Sequence, residues 1–289
     1  MDTKTVLELF DRRLRRDHPA DGPGDVVERV GAVVRQVGAG DGWTGVLWSD
    51  LGGDGDGDGN ADGNGNGNAD GDGNADGDDT AAAAAADAAI AEQIGYFTGL
   101  DRVFEWKLYA HDRPADLGAR LAAAGFTPDE PETVLVGAVA DLPTEPELPE
   151  GIRLLKVTDV AGVELMMQVH DEAFGRPSPR LHRHLLHQVV HEPDAIDAVL
   201  VLAGDRPVCA ARTDFHQGTE FASLWGGGTV PQWRGRGIYR ATVAYRTALA
   251  AARGYQYLQV DASDQSRPIL ERLGFHALTT TTPYTYTPH

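Results

Sequence analysis

Hydrophobic and polar positions in the second half of the chain follow two spacings. Short runs that are apolar throughout or at every second position, such as EFASLWGGGTV, predict strands. Runs whose apolar residues recur every three or four positions predict helices, and the longest, RGIYRATVAYRTALAAARG, ends at Gly254. Residues 151–289 are thus predicted to run β-α-α-β-β-β-α-β-α-β. This order is typical of an α/β (α+β) domain.

The first half shows the same mixture of elements. TKTVLELFDRRLRR has helical spacing, WTGVLWSDL is strand-like, and TAAAAAADAAIAEQIGYF is typical of an alanine-rich helix. A strand RVFEWKLYAHD, a helix PADLGARLAAAGF and a strand PETVLVGAV follow. Proline and acidic residues then mark a linker at residues 141–150. We therefore predict an N-terminal α/β domain at residues 1–140 and a second domain at residues 151–289.

One order of elements occurs twice along the chain. FEWKLYAHDRPADLGARLAAAGF and YQYLQVDASDQSRPILERLGF each combine an aromatic strand, an acidic turn, a proline-started helix and a Gly-Phe pair. The two pairs, Gly125-Phe126 and Gly274-Phe275, lie 149 residues apart. Strand–helix–strand units are common in α/β proteins, so this repeated order suggests a duplicated domain without establishing it.

A low-complexity insert interrupts the first half. Residues 52–80 are almost entirely Gly, Asp, Asn and Ala, and such a composition cannot bury apolar surface, which predicts a disordered acidic spacer. Asp54, Asp56 and Asp58 match the opening of an EF-hand calcium loop, but the twelfth position is Gly65 where that loop needs Glu. The spacer interpretation is therefore favoured over a calcium site.

The net charge of −19 comes from the first half of the chain. Residues 1–150 hold thirty-one acidic and eleven basic side chains, whereas residues 151–289 are nearly neutral. A strongly negative surface argues against nucleic acid as a partner. No apolar run approaches 18 residues and the first residues lack a signal-peptide core, so we expect a cytoplasmic protein without a membrane partner. The single cysteine, Cys209, lies in an apolar run typical of a buried side chain.

Positive charge is concentrated at one turn of the second half. The stretch GGGTVPQWRGRGIYR, residues 226–240, places three arginines and five glycines before the longest predicted helix. A helix start offers unpaired backbone amides and partial positive charge, and glycines let an anion approach the backbone closely. Arginine adds charge and binds phosphate through two parallel hydrogen bonds. The sequence therefore predicts an anion-binding turn.

This turn resembles motif A of the Gcn5-related N-acetyltransferase (GNAT) superfamily, a strand followed by Arg/Gln-x-x-Gly-x-Gly/Ala at a helix start. Arg234 is aligned with the first position, although the pattern also matches from Gln232, and Tyr239 departs from the usual Gly or Ala. VDASDQSRPILERLGF resembles motif B, a strand leading to a helix that ends in Gly-Phe. The resemblance covers residues 151–289. It implies the GNAT fold, a mixed and mostly antiparallel sheet flanked by helices, in tandem if the first half is a degenerate copy.

The resemblance also implies acetyl-CoA as co-substrate. Backbone groups of residues 227–229 would pair with the pantetheine arm like an added strand, and the turn would hold the pyrophosphate. A β-bulge without a ligand is the alternative interpretation of the three glycines. The predicted cofactor-binding residues are Gly227, Gly228, Thr229, Arg234, Gly235, Arg236, Gly237, Ile238, Tyr239, Arg240 and Ser263.

The groups that move protons are not at the positions usual in the superfamily. The resemblance places the usual tyrosine at Leu270 and a glutamate base at Gln259, and neither side chain exchanges protons at neutral pH. His216, in a turn between strands, is a titratable group near the predicted cleft. The other candidate catalytic residues are Glu220, Asp261 and Tyr239.

Four histidines, His182, His184, His187 and His191, lie on one predicted helix. They are spread around the helix without a matching set of carboxylates, which favours a polar face lining the acceptor site over a metal site.

Two functions follow from the resemblance. The first is an N-acetyltransferase that moves an acetyl group from acetyl-CoA to an amine of a small molecule or polypeptide by direct attack. The alternative is a non-catalytic acyl-CoA-binding sensor or scaffold of the same fold, which the residues at positions 259 and 270 keep open. Both a monomer and a homodimer are compatible with the sequence.

Overall fold

The computed structural model describes residues 1–52 and 75–288, which form one continuous sheet with helices on both faces. The strands are β1 (Val26–Val30), β2 (Val33–Val37), β3 (Gly45–Ser49), β4 (Phe104–Tyr109), β5 (Thr127–Pro128), β6 (Glu132–Ala138), β7 (Ile152–Val157), β8 (Ile196–Ala203), β9 (Arg206–Phe215), β10 (Phe221–Thr229), β11 (Tyr257–Ala262) and β12 (His276–Tyr286). The helices are α1 (Thr3–Phe10), α2 (Ala75–Gly99), α3 (Leu117–Ala123), α4 (Val160–Phe174), α5 (Pro179–His191), α6 (Ile238–Ala252) and α7 (Arg267–Arg272).

The sheet is mixed and mostly antiparallel. Its order is β1-β2-β3-β4-β12-β6-β11-β10-β9-β8-β7, with the short β5 beside β12. Within this order β3–β4 and β10–β11 are parallel neighbours, and the other neighbouring pairs are antiparallel. The predicted fold class is therefore confirmed, and so is the element order predicted for residues 151–289.

The two halves of the chain exchange one strand each. Strand β6 of the first half pairs with β11 of the second, and the C-terminal strand β12 pairs with β4 of the first half. β6 and β12 pair with each other at the centre of the sheet. The predicted units 1–140 and 151–289 thus complete each other's part of the sheet. The predicted linker at residues 141–150 gives no sign of this exchange of strands.

The sheet repeats itself about this central pair. On one side β4 continues into the parallel neighbour β3, and on the other β11 continues into the parallel neighbour β10. Helices α3 and α7 end in the same way: the amide of Phe126 donates to the carbonyl of Leu121 and that of Phe275 to Leu270, both at 3.1 Å. The internal repeat predicted from the Gly-Phe pairs is confirmed.

The two faces of β10 and β11 are covered differently. On one face α6 and α7 pack over apolar side chains such as Leu224 and Leu258, which are almost fully buried. The opposite face carries polar side chains, Ser223 and Gln259 among them, that are buried between the two halves. Cys209 on β9 is fully buried, as predicted, and burial raises the pKa of its thiol to about 11.

Two parts of the first half differ from the sequence expectation. The hairpin β1–β2 has no counterpart among the predicted elements, because two five-residue strands leave little periodicity to detect. Residues 75–80, which the sequence assigns to the end of the spacer, belong to the first turns of α2. Residues 53–74, which include the EF-hand calcium loop considered from the sequence, lie outside the described residues. Among the helices seen here, none is both long and apolar enough to cross a membrane.

Candidate functional site

Strands β10 and β11 separate partway along their length. Their parallel ladder starts at the pair Phe221–Tyr257 and ends at the pair Ser223–Gln259. β10 then continues to Thr229 and β11 to Ala262 with no further pairing between these two described strands. The facing edges of the two strands therefore form a V-shaped gap. An extended ligand can pair with backbone groups along such an edge.

A bulge bends β10 beside the gap. Between Trp225 and Gly228, β10 has one residue more than its partner β9. At Gly227 a Cβ atom would lie only 2.7 Å from the ring of Tyr239 on α6. Glycine is required here because the strand and the start of the helix approach each other so closely.

Helix α6 begins at the arginine-glycine turn, directly after β10. Its N-cap, Gly237, has φ +82°, in the left-handed region that favours glycine. Within the described chain, the amides of residues 235–240 donate to no backbone carbonyl. Arg236 and Arg240 are exposed beside them. Free amides, the positive end of a helix and two guanidinium groups together make this turn suited to an anion.

Arg234 has a structural role in the same turn. Its guanidinium donates to the carbonyls of Thr229 at 3.0 Å and Ala173 at 2.9 Å, which joins the turn to the end of β10 and to α4. Arg236 lies over the ring of Trp233, with its guanidinium carbon 4.5 Å from the ring centroid. Arg240 makes no side-chain hydrogen bond or ion pair to the rest of the described chain, so its charge is available to a ligand.

The predicted cofactor-binding residues lie around the gap. Residues 227–229 form the end of β10, residues 234–240 form the turn and the start of α6, and Ser263 follows β11 on the other side. The side chain of Ile238 is buried in the core, so only its backbone can face a ligand.

Glu220, Asp261 and Tyr239, three of the candidate catalytic residues, are not brought together. Glu220 precedes β10 at the closed end of the gap and forms an ion pair with Arg13 at 3.1 Å. Asp261 is buried and forms an ion pair with Lys107 of β4. Tyr239 packs on the α6 side of the sheet, against the hydrophobic cluster there. They therefore occupy three separate environments.

A cavity of about 710 Å³ lies between the two halves, on the face of the sheet opposite α6. Strands β10 and β11 line it with residues that flank the end of their ladder, and α5, β4 and the loop after α1 supply other walls. A ligand in the gap would therefore border this cavity. The lining includes Ser223, Trp225, Gln259, Asp261, Lys107, Tyr109, Asp21, His18, His184, Gln188 and His216.

A chain of hydrogen bonds crosses the wall that the sheet forms. Lys107 is paired with Asp261, whose Oδ1 accepts from Gln259 Nε2 at 2.7 Å. Gln259 Oε1 accepts from Ser223 Oγ at 2.7 Å, and His216 Nε2 lies 2.7 Å from the same hydroxyl oxygen. The network links side chains of both halves through the end of the β10–β11 ladder.

The titratable side chains of the cavity differ in charge at neutral pH. Burial alone would lower the pKa of Lys107, but the carboxylate of Asp261 more than reverses this and raises it above its usual value. Burial lowers the pKa of His184 to about 4. Burial also lowers the pKa of His216, although the carboxylate of Asp21 opposes the shift. Both imidazoles are therefore neutral at pH 7 beside charged neighbours.

The histidines of α5 divide into two groups. His184 and His191 line the cavity, as the sequence predicted for an acceptor site. His182 and His187 do not line it: His182 contacts Glu164 at 2.9 Å outside the cavity, and His187 contacts Glu192 of the lining at 3.2 Å. Across the described ranges, no group of three or more His, Cys, Asp or Glu side chains is arranged to hold a metal ion.

Sequence reasoning missed three residues of the cavity wall: Asp21, Lys107 and Ser223. Lys107 had a usable signal, since it is one of only three lysines against twenty-two arginines. Asp21 had none, because it lies in an irregular loop and its approach to His216, in the other half of the chain, depends on the tertiary structure.

The first half lacks the anion turn. Its strands β3 and β4 are parallel neighbours like β10 and β11, and they too pair only briefly, at Gly45–Glu105 and Val46–Trp106. The connection from β3 to the following helix α2 spans residues 50–74 and contains no arginine or lysine. The equivalent of the arginine-glycine turn is therefore absent from the sequence of the first copy.

Comparisons with known proteins bear on this fold. No protein-family model matches the sequence, and no curated protein resembles it significantly. The structure is similar to a GCN5-related N-acetyltransferase from Kribbella flavida, with a TM-score of 0.62 and 18% identity over 99% of this chain and 95% of that one. It is also similar to a tandem GNAT protein from the clavulanic acid biosynthesis pathway, with a TM-score of 0.54 and 11% identity over 98% and 94% of the two chains.

A GCN5-related N-acetyltransferase from Sphaerobacter thermophilus matches 65% of this chain, with a TM-score of 0.50 and 19% identity. These likenesses, the β10–β11 gap and the internal repeat define an α/β protein of the acetyltransferase class of folds. The chain has the GNAT fold in tandem form, with the arginine-glycine turn in its second half.

Proposed function

We propose that this protein is an N-acetyltransferase that uses acetyl-CoA and an amine acceptor. One observation carries the proposal: the β10–β11 ladder ends at Ser223 and Gln259 beside a helix start with free amides. A strand edge and an anion-binding turn in this order match the two parts of coenzyme A, an extended amide-containing arm and a diphosphate.

The residues of the gap fit such a ligand. The backbone of residues 227–229 borders the gap and would pair with the arm, while the amides of residues 235–240 and the side chain of Arg240 would bind the diphosphate. Ser263 would contact the ligand from the β11 side. Acetyl-CoA would supply an acetyl group activated as a thioester.

The cavity on the opposite face is the proposed acceptor site. An amine held there would lie beside the end of the gap, and direct attack would form a C–N bond as the C–S bond breaks. Attack requires a neutral amine, so a base must take one of its protons. Asp261 and Glu220 are each neutralised by a cation, Lys107 and Arg13, and neither is proposed as that base.

Tyr239 is the proposed proton donor to the departing thiolate. Its ring lies beside Gly227 at the edge of the gap, and burial raises the pKa of its hydroxyl, which keeps it protonated at neutral pH. Leu270, at the position where the superfamily usually has a tyrosine, is fully buried in the core. Leu270 cannot donate a proton. The binding-only alternative therefore applies if Tyr239 does not donate one either.

Two measurements on the purified protein test the proposal. Calorimetric titration with acetyl-CoA should show saturable binding, and a free-thiol assay with a panel of amines should show amine-dependent release of coenzyme A. Binding without release by any amine would support the sensor alternative. Absence of binding would contradict both functions.

A further inference from the structure

We propose that the cavity binds a small primary amine carrying a second positive charge, and that Asp21 and His216 receive its reacting nitrogen, with His216 Nδ1 as the general base. This inference rests on the proposed function, because it names the acceptor and the base for the same reaction. It follows from the direction of the hydrogen bonds in the cavity wall.

The network determines which nitrogen of His216 carries the proton. Gln259 must donate through Nε2 to Asp261, because the ionised carboxylate only accepts, and its Oε1 therefore faces Ser223. The single hydroxyl proton of Ser223 is used toward that oxygen. Ser223 can then only accept from His216, so the neutral imidazole carries its proton on Nε2. The lone pair is left on Nδ1.

The lone pair of Nδ1 faces a second acceptor. Nδ1 of His216 lies 3.9 Å from Oδ1 of Asp21, too far for a direct hydrogen bond. Two acceptors at this separation can each be about 2.9 Å from one nitrogen placed between them. An ammonium group has three N–H donors and a positive charge, which makes it the chemical group that satisfies both acceptors at once.

Other acceptors in the cavity wall also lack donors. Gln188 is 7% exposed and His18 is 8% exposed as whole residues, yet Gln188 Oε1 and His18 Nδ1 have no hydrogen-bond partner in the described structure. Both residues line the cavity. Buried acceptors without partners are costly, so they point to a ligand that brings several N–H donors.

The charge of the lining favours a cationic acceptor. Lys107 and Arg212 are each paired with a carboxylate of the cavity, Asp261 and Asp214. Among the described residues, the remaining carboxylates of the lining form no ion pair with lysine or arginine. These are Asp21, Asp25, Glu192 and Asp194.

The volume of the cavity favours a small molecule over a polypeptide. About 710 Å³ lies within the range of roughly 300–1,000 Å³ typical of sites for small ligands. A diamine or polyamine fits both the size and the excess of carboxylates.

The proposed step is balanced in protons and bonds. The bound ammonium gives one proton to Nδ1 of His216, and the free amine attacks the thioester carbonyl. The C–N bond forms, the C–S bond breaks, and the electron pair of that bond leaves on sulfur. The thiolate takes up the proton donated by Tyr239, which is replaced by the second amine proton through solvent, and the proton on His216 passes to solvent.

Three probes that differ at one end test the acceptor class. 1,4-Diaminobutane, butylamine and 4-aminobutanoate present the same reacting amine with a positive, neutral or negative far end. We expect kcat/KM to fall in that order, by at least about tenfold from the first to the last. An equal or higher value for 4-aminobutanoate would overturn the cationic acceptor, even if acetylation itself occurs.

Substitution of His216 tests the base. His216→Gln should lower kcat with 1,4-diaminobutane by at least about 100-fold and leave the Kd for acetyl-CoA within twofold. The matched control is His182→Gln on α5, whose imidazole contacts Glu164 outside the cavity and which should keep wild-type kinetics. Thermal unfolding of both variants shows whether a loss of activity comes from misfolding.

The pH profile separates a base from a structural residue. His216 is faced by Asp21 and His18 from the loop after α1, by Asp214 from β9 and by Ser223 from β10. The profile of kcat/KM should rise with pH as His216 loses its proton. Asp21→Asn should move this limb to lower pH, because the carboxylate raises the pKa of His216.

Each failure has a separate meaning. An unchanged rate and pH limb in His216→Gln would overturn the base while leaving the acetyltransferase intact. Acetyl-CoA binding without turnover of any probe would overturn the acceptor while leaving the cofactor site. A wild-type protein that binds no acetyl-CoA would overturn the proposed function, and this inference with it.

Discussion

Ser223 and Gln259 are the last backbone pair of β10 and β11, and their side chains are hydrogen-bonded to each other at 2.7 Å. The bond spans the vertex of the gap. On one side of this vertex lies the proposed arm-binding edge of β10, and on the other lies the cavity between the halves. One pair of residues therefore joins the two parts of the candidate site.

Gln259→Glu should destabilise the protein in a pH-dependent way. The introduced carboxyl would face the carboxylate of Asp261 where the amide now donates at 2.7 Å, so repulsion and burial would raise its pKa above the unfolded value. The protonated form is tolerated and the ionised form is not, so stability falls as pH rises. Denaturant unfolding should show a loss on the order of 2 kcal/mol at pH 8 and less at pH 5.

Gln259→Met provides the comparison, since it removes the amide without adding a charge. Its effect on stability should be similar at both pH values. A pH-independent loss in Gln259→Glu as well would show that Asp261 does not interact with this position.

Gly237→Val should abolish tight binding of acetyl-CoA. A β-branched residue is strained at φ +82°, and the side chain would crowd the free amides of the turn. Gly254→Val is the matched control, because Gly254 has φ +80° at the other end of α6, away from the gap. Both variants should lose similar stability, and titration calorimetry should show weaker binding in Gly237→Val alone.

Lys107→Met should destabilise the protein by about 3–5 kcal/mol, because it leaves the fully buried carboxylate of Asp261 without its cation. Arg267→Met, which removes the exposed i,i+4 pair with Glu271, should change stability by no more than about 0.5 kcal/mol. Chemical denaturation of both variants at pH 7 measures the contrast. Equal effects would mean that the Lys107 pair is solvated.

Adding Asp261→Asn to Lys107→Met should recover part of the lost stability, since the buried charge is then gone. A double variant less stable than Lys107→Met alone would contradict this explanation.

Glu132→Gln should remove a pH dependence of folding. Burial, followed by the negative charge of Asp261, raises the pKa of Glu132 from 4.5 to about 7 in the folded state. Because the folded pKa is the higher one, its contribution to stability is complete below pH 4.5 and is lost as pH rises through 7. Relative to Glu132→Gln, the wild type should lose up to about 3 kcal/mol over this interval. Parallel unfolding curves of the two proteins across pH 4–8 would contradict the shift.

The element order of the second half was predictable because its signals are local. α6 shows helical spacing and starts and ends at glycines, Gly237 and Gly254, and the anion turn lies within fifteen consecutive residues. The hairpin β1–β2 was not predicted, because its strands are too short to show the alternation of apolar and polar residues typical of a strand. Its place in the sheet depends on the pairing of β2 with β3.

The cavity wall could be predicted only in part. Asp261, Gln259 and His216 were identified as unusual residues, but their roles depend on partners in the other half. Glu220 drew attention for its place on the strand, whereas its ion pair with Arg13 depends on where α1 and the turn after it pack.

The sequence by itself determined the local features of this protein: the order of strands and helices in the second half, the Gly-Phe helix ends and the arginine-glycine turn. Each depends on residues within a few turns of one another, where periodicity and backbone preference act directly. The tertiary structure decided the strand exchange, the cavity and the direction of its hydrogen bonds. Lys107 meets Asp261, and Asp21 meets His216, only because the exchange of β6 and β12 joins the two halves in one sheet. Such contacts are set by the packing of whole elements, which no short stretch of sequence specifies.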